Sequence, residues 1–211
     1  ELIAITTNLK ELRFVTKPLI TISLMLFVYF TIKRKSRFTN KVLIGLSFSL
    51  LGDVFLMFPH VNELYFMLGL GSFLIAHSFY ISAFYLDSTN KIEVEKRYVL
   101  PIFLVFGFFC MSYYMILRPN LGNMNIPVLV YSFVITLMAI MAGLRYGKTN
   151  TKSFAWILLG AILFMVSDSI LAYNKFVERM EIGDLLIMAT YMLAQFLIAM
   201  GTVERKFVKK N

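Results

Sequence analysis

The chain has 211 residues, of which 59% are hydrophobic and only 16% charged, and its mean hydropathy is +0.74. A soluble domain is about half apolar and a quarter charged, so this composition excludes an ordinary soluble enzyme and leaves a single transmembrane domain over residues 1–211. The formal net charge of +9 does not mark a nucleic-acid binder, because Lys and Arg collect in short loops on one side of a membrane protein.

Seven apolar segments follow in chain order, at 17–32, 42–59, 64–86, 98–117, 126–144, 153–173 and 184–203. Each approaches the roughly 20 helical residues that cross a hydrocarbon core. Backbone groups in lipid must be satisfied within the segment, which predicts helices. The strands of an outer-membrane barrel alternate apolar with polar residues, and these segments do not. The expected fold is all-α, a polytopic transmembrane helical bundle.

The first span opens at Lys17–Pro18, with proline at a tolerated early helical position. Lys17 reads either as a contact for a lipid phosphate or as a snorkelling interfacial lysine. The second span carries Asp53, the third His77 and Tyr80, the sixth Asp168, and the last Tyr191 and Gln195. Cys110, the single cysteine, lies in the apolar fourth span, so no disulfide framework or cysteine metal cluster forms within one chain. Asp87, Asp184, Glu63 and the charges of 91–97 read as loop or helix-end residues.

Orientation follows from the loops. Fifteen Lys and Arg fall in 33–41, 87–97, 145–152 and 204–211, against six on the other side: Lys10, Arg13, Lys17, Arg118, Lys175 and Arg179. The basic side is expected to be cytoplasmic, in the cytoplasmic membrane if the source is bacterial. The chain also echoes itself. Gly45 precedes Asp53 by eight residues and Gly160 precedes Asp168 by eight, with Gly52 and Ser167 just before each Asp, and FLIA recurs at 73–76 and 196–199. An offset of four spans suits a parallel repeat, which predicts an eighth, N-terminal span absent from this sequence.

A carboxylate at the bilayer centre costs about 3 kcal/mol or more and usually faces a cavity with a task. The bland alternative is a helix cap or a bond to a neighbouring hydroxyl. Asp53 and Asp168 sit at equal depth by residue counting, which lets them face one another across one pocket. Two close carboxylates split into a proton donor and an anion, the pattern of acid-catalysed cleavage at acetal-like bonds. His77 reads equally as a satisfied interhelical residue, and so does Gln195. Two aspartates and a histidine are also potential metal ligands, although His77 lies at a different depth. A proton- or ion-coupled carrier using Asp53 and Asp168 is the main alternative.

Five stretches, TKPLI at 16–20, LLGDVFLMFP at 50–59, GLGSFLIAHSFYISAF at 69–84, GAILFMVSDSILAYNKF at 160–176 and YMLAQFLIAMG at 191–201, run in the order of one family. Through them the chain resembles the YhhN-type membrane lysoplasmalogenases, or alkenylglycerophospholipid hydrolases. That resemblance implies an eight-span bundle and a lysoplasmalogen substrate taken from membrane lipid. It implies hydrolysis of the vinyl ether to a fatty aldehyde and glycerophosphoethanolamine or glycerophosphocholine. Asp53 and Asp168 would be catalytic, with Lys17, His77, Tyr80, Tyr191 and Gln195 around the substrate. No metal or organic cofactor is needed for that chemistry.

Overall fold

The computed structural model describes residues 1–2, 5, 10–58, 63–89 and 98–208. Seven long helices dominate them: α1 (Lys10–Thr31), α2 (Arg37–Phe55), α3 (Glu63–Ser88), α4 (Val99–Leu117), α5 (Asn125–Gly143), α6 (Thr151–Phe176) and α7 (Gly183–Val203). All seven are long and apolar enough to cross a membrane. The protein is an integral multi-pass membrane protein. Two 3-10 turns, Arg118–Asn120 and Gly122–Met124, join α4 to α5.

Helix ends follow local chemistry. Ser36 caps α2 by accepting the Thr39 backbone N–H at 3.2 Å, which satisfies one of the orphan donors of a first turn. Pro18 lies inside α1 rather than opening it. The helix begins at least one turn earlier than the hydropathy implies, because Lys10–Lys17 is helical despite its charges. Residues 91–97, whose charges the sequence assigns to a loop, lie outside the described residues.

Helices α2 and α3 pack along their length, and so do α6 and α7, while α1 leans on α2 and α7, and α5 on α3. Glycine permits the tight pairs. A Cβ on Gly45 would meet the Tyr80 ring of α3 at 2.5 Å, and one on Gly160 would meet the Ala194 carbonyl oxygen of α7 at 2.9 Å. The echo seen in the sequence thus corresponds to one packing device used twice. The second contact is with backbone, which cannot swing away. Gly160→Val is therefore expected to destabilise the protein by about 1–3 kcal/mol, read as a lower thermal midpoint in detergent. Gly107→Val, whose Cβ would meet nothing within 4 Å, should leave that midpoint in place.

The core also contains rings stacked edge to face, including Phe73 against Phe164 at 6.0 Å and His77 against Phe164 at 4.6 Å. By contrast α4 buries only Phe106 and Leu117 among its residues. It presents Leu104, Val105, Phe108 and Met111 outward, as a helix facing lipid tails should.

Candidate active site

Asp53, two residues before the end of α2, is 1% exposed. Two helices supply its partners. Lys17 of α1 places Nζ 3.4 Å from Oδ1. Thr21, one turn further along α1, donates its hydroxyl to Oδ2 at 3.1 Å, and Tyr191 of α7 donates its phenol to the same oxygen at 2.6 Å. The network continues inward. Gln195 Nε2 donates to the Tyr191 oxygen at 3.3 Å, and Tyr80 of α3 donates to Gln195 Oε1 at 3.0 Å. Four helices are thereby tied into one network around a buried carboxylate. A charge so buried is tolerated only with a counter-ion and satisfied lone pairs, and Lys17, Thr21 and Tyr191 provide both.

Asp168, on α6, is half-buried and has a different environment. Its Oδ2 accepts a hydrogen bond from the Tyr131 phenol of α5. It lines a recess of about 40 Å³ with Cys110, Tyr113, Ser132 and Met165. No cation lies within ion-pair distance of it among the described residues. The two aspartates are not hydrogen-bonded to each other. A chain of rings connects them instead: Tyr191 touches Phe164 at 5.4 Å, Phe164 touches His77 at 4.6 Å, and His77 touches Tyr131 at 5.5 Å. Aromatic side chains thus line the region in which residue counting allows the two to face one another.

His77 is fully buried in that chain, and neither ring nitrogen has a hydrogen-bond partner among the described residues. It is thus not the satisfied interhelical residue that the sequence allows. Nor do Asp53, Asp168 and His77 come together as a metal-binding group; no such group occurs among the described residues.

Beside the Asp53 network lies a cleft of about 470 Å³, within the range of small-molecule sites. Its apolar side is made by Phe14, Leu56, Phe66, Leu171, Ile187 and Met188, and its polar side by Arg13, Lys17, Asn174, Lys175, Arg179 and Asp184. Lys17 belongs to both structures: its side chain is 15% exposed, lines the cleft and reaches Asp53. Reading the sequence singled out Lys17, Asp53, Tyr80, Tyr191 and Gln195, and the fold brings all five together. It missed Thr21, Tyr131 and the cleft residues beyond Lys17. Thr21 had a legible signal, because it lies four residues after Lys17 and so shares its helix face.

The opposite end of the bundle carries a correction. Asp87, read as a helix-end or loop residue, does lie at the end of α3 but is fully buried. Arg145 Nε donates to it at 2.9 Å, and Arg205 Nε donates to its two oxygens at 2.8 and 3.0 Å. Burial pulls the Arg145 guanidinium below its ordinary pKa, and the adjacent Asp87 carboxylate opposes that shift. The charge is spent on joining α3, the α5–α6 turn and the C-terminal tail, since Asn150 and Lys206 are also bonded there.

Tyr191→Phe tests how far the Asp53 network depends on one phenol. Its loss removes a charge-assisted bond while Lys17 and Thr21 remain. The expected outcome is a folded protein with activity reduced roughly tenfold, checked by initial rates beside a melting curve.

The fold and site are those of a helical membrane protein with an ion-paired carboxylate beside a cleft that is apolar on one side and cationic on the other. The chain belongs to the YhhN family, whose sequence model matches residues 12–202. It is 34% identical over 174 residues to human lysoplasmalogenase TMEM86A, covering 79% of this chain and 67% of that protein. It is 29% identical over 168 residues to rat lysoplasmalogenase TMEM86B, covering 79% of this chain and 63% of the relative. A Mycobacterium tuberculosis lysoplasmalogenase is 30% identical over 141 residues, 64% of this chain and 50% of its own length. No solved structure matches the chain.

Proposed function

We propose that this protein is a lysoplasmalogenase, an intramembrane hydrolase that cleaves the vinyl ether bond of a single-chain ether phospholipid. The observation that carries the reading is Lys17, which lines an amphipathic cleft and at the same time holds the buried Asp53 carboxylate. Its relatives named lysoplasmalogenase supply the reaction class, and the cleft supplies a fitting shape: cations for a phosphate, apolar walls for the start of a chain.

The chemistry asks for two groups. A proton goes to the alkenyl carbon distal to oxygen, leaving an oxocarbenium ion, and water adds to the cationic carbon. The resulting hemiacetal collapses to an aldehyde and the free glycerol hydroxyl. An acid that delivers the proton and a carboxylate that stabilises the cation and orients water are sufficient. Asp53, paired with Lys17, is assigned the anionic role. Asp168, with a tyrosine and no cation beside it, is assigned the proton-donor role. The rings of Phe164 and His77 link the surroundings of the two carboxyls, and the alkenyl chain is expected to pack against them. A coupled carrier is less well supported, because the described parts of the seven spans are continuous helices, whereas transporter sites are commonly built on broken ones.

The test is turnover of a lysoplasmalogen in D2O by purified protein, with the aldehyde trapped as it forms. One deuterium on the carbon next to the carbonyl is expected. Aldehyde without that label would overturn the protonation mechanism, and no aldehyde from folded protein would overturn the hydrolase reading.

A further inference from the structure

The end of the bundle that holds Lys17 and Asp184 is poor in positive charge. Of the chain's 21 Lys and Arg, only six fall on that side by the loop count. The distribution that orients a membrane protein depletes cations there. Yet four of those six, Arg13, Lys17, Lys175 and Arg179, line one cleft, that of about 470 Å³. They arrive from two distant parts of the chain, the first turns of α1 and the end of α6 with the turn that follows it. Chain topology does not require this concentration, and four cations around one space repel one another wherever neighbouring anions do not offset them.

The four are not equivalent. Lys17 is committed to Asp53 at 3.4 Å, and Arg13 has Glu1 at 3.6 Å. Lys175 lies over the Phe66 ring at 5.1 Å, a cation–π contact that leaves its donors available. Arg179 is exposed and has no ion-pair partner among the described residues. One carboxylate shares the cleft: Asp184, half-buried in the first turn of α7. A wall of cations with a single anion opposite is the charge pattern of a zwitterion read in reverse.

We infer that the cleft is a headgroup subsite selective for zwitterionic phospholipids, in which Arg179 and Lys175 hold the phosphate and Asp184 receives the ammonium. The inference rests on the proposed lysoplasmalogenase reading and deepens it, since it names Asp184 as the residue that sets headgroup preference. The guanidinium fork suits phosphate oxygens. The Asp184 carboxylate binds an amine and repels a headgroup that is only anionic, so it discriminates by repulsion as well as attraction. A purely structural Asp184, serving the helix dipole of α7, would change stability and leave headgroup preference alone.

The experiment uses the full chain in detergent and two alkenyl lysolipids with the same chain. One carries phosphoethanolamine and the other carries phosphate with no amine. Saturated alkyl-ether analogues of both, which cannot be hydrolysed, give binding by calorimetry alongside. Asp184→Asn is expected to reduce kcat/KM for the phosphoethanolamine form roughly five- to tenfold through KM, and to leave the amine-free form unchanged or improved. Arg179→Gln is expected to raise KM for both forms by a similar factor. Binding of the two analogues should follow the same pattern. If both variants, folded, keep the wild-type headgroup ratio and affinities, the subsite assignment is overturned. The binding arm separates the two readings. Headgroup-dependent binding without aldehyde keeps the subsite and removes the hydrolase, whereas aldehyde release without headgroup dependence does the reverse.

Discussion

Asp53→Asn and Asp168→Asn are each expected to lower aldehyde release by about 10²- to 10⁴-fold while the protein still folds. The two losses should arise differently. In Asp53→Asn the amide still accepts from Tyr191 and Thr21, but Lys17 loses its counter-ion. The anion proposed to offset the oxocarbenium is removed, and a cation is left in its place. In Asp168→Asn the Tyr131 phenol keeps an acceptor, and what disappears is a group able to release a proton. Because a general acid and a stabilising anion act on one transition state, the double variant should be scarcely slower than either single one. Initial rates for the three variants, each with its melting curve, check this. Near wild-type activity in either single variant would remove that residue from the mechanism.

The largest stability effect is expected far from this site. Asp87→Ala would leave Arg145 and Arg205 side by side at a buried position with no carboxylate between them. Breaking a buried pair by removing one partner costs about 3–5 kcal/mol, mostly the cost of the unpaired charge. Here two guanidinium groups are stranded. Arg145 retains its bonds to Ser153, at 2.9 Å to the hydroxyl and 3.3 Å to the carbonyl, and the faces of Phe38 and Phe84. Arg205 retains the faces of Phe38 and Phe207, each 4.4 Å from its Cζ. The consequence should be a large fall in thermal midpoint and a loosened C-terminal tail, seen as faster proteolysis after Val203. Replacing Asp87 and Arg145 together with leucine should recover part of the loss, since the desolvated charges go with the pair. An Asp87→Ala protein that melts like wild type would show that the clamp contributes nothing.

How much of this was legible in the sequence depends on what each residue's signal costs. The spans were readable because a hydrocarbon core demands about 20 apolar residues wherever it is crossed, and the predicted centres all fall within the observed helices. Asp53 stood out because ionisable groups are rare in lipid, and Tyr191 with Gln195 because i and i+4 share a helix face. Tyr131 carries no such mark, since a tyrosine in a membrane helix is unexceptional until a carboxylate is found against its hydroxyl. Asp87 was undervalued for a related reason. Its partners lie 58 and 118 residues away, and nothing local says that a charge at a helix end points inward. Arg13, Lys175 and Arg179 were visible only as tokens in a loop count. Their convergence on one cleft is a property of the fold. Residue counting placed Asp53 and Asp168 within reach of each other, but it could not show that the rings of Phe164 and His77 link their surroundings.

The most direct measurement of the central claim is aldehyde release by purified protein from a vinyl ether lysophospholipid and from its ester-linked twin of the same chain and headgroup. The account predicts aldehyde from the vinyl ether substrate and no fatty acid from the ester, because an acid–carboxylate pair protonates an alkene, whereas acyl transfer calls for an activated nucleophile. Fatty acid from the ester, or no aldehyde from folded protein, would contradict it.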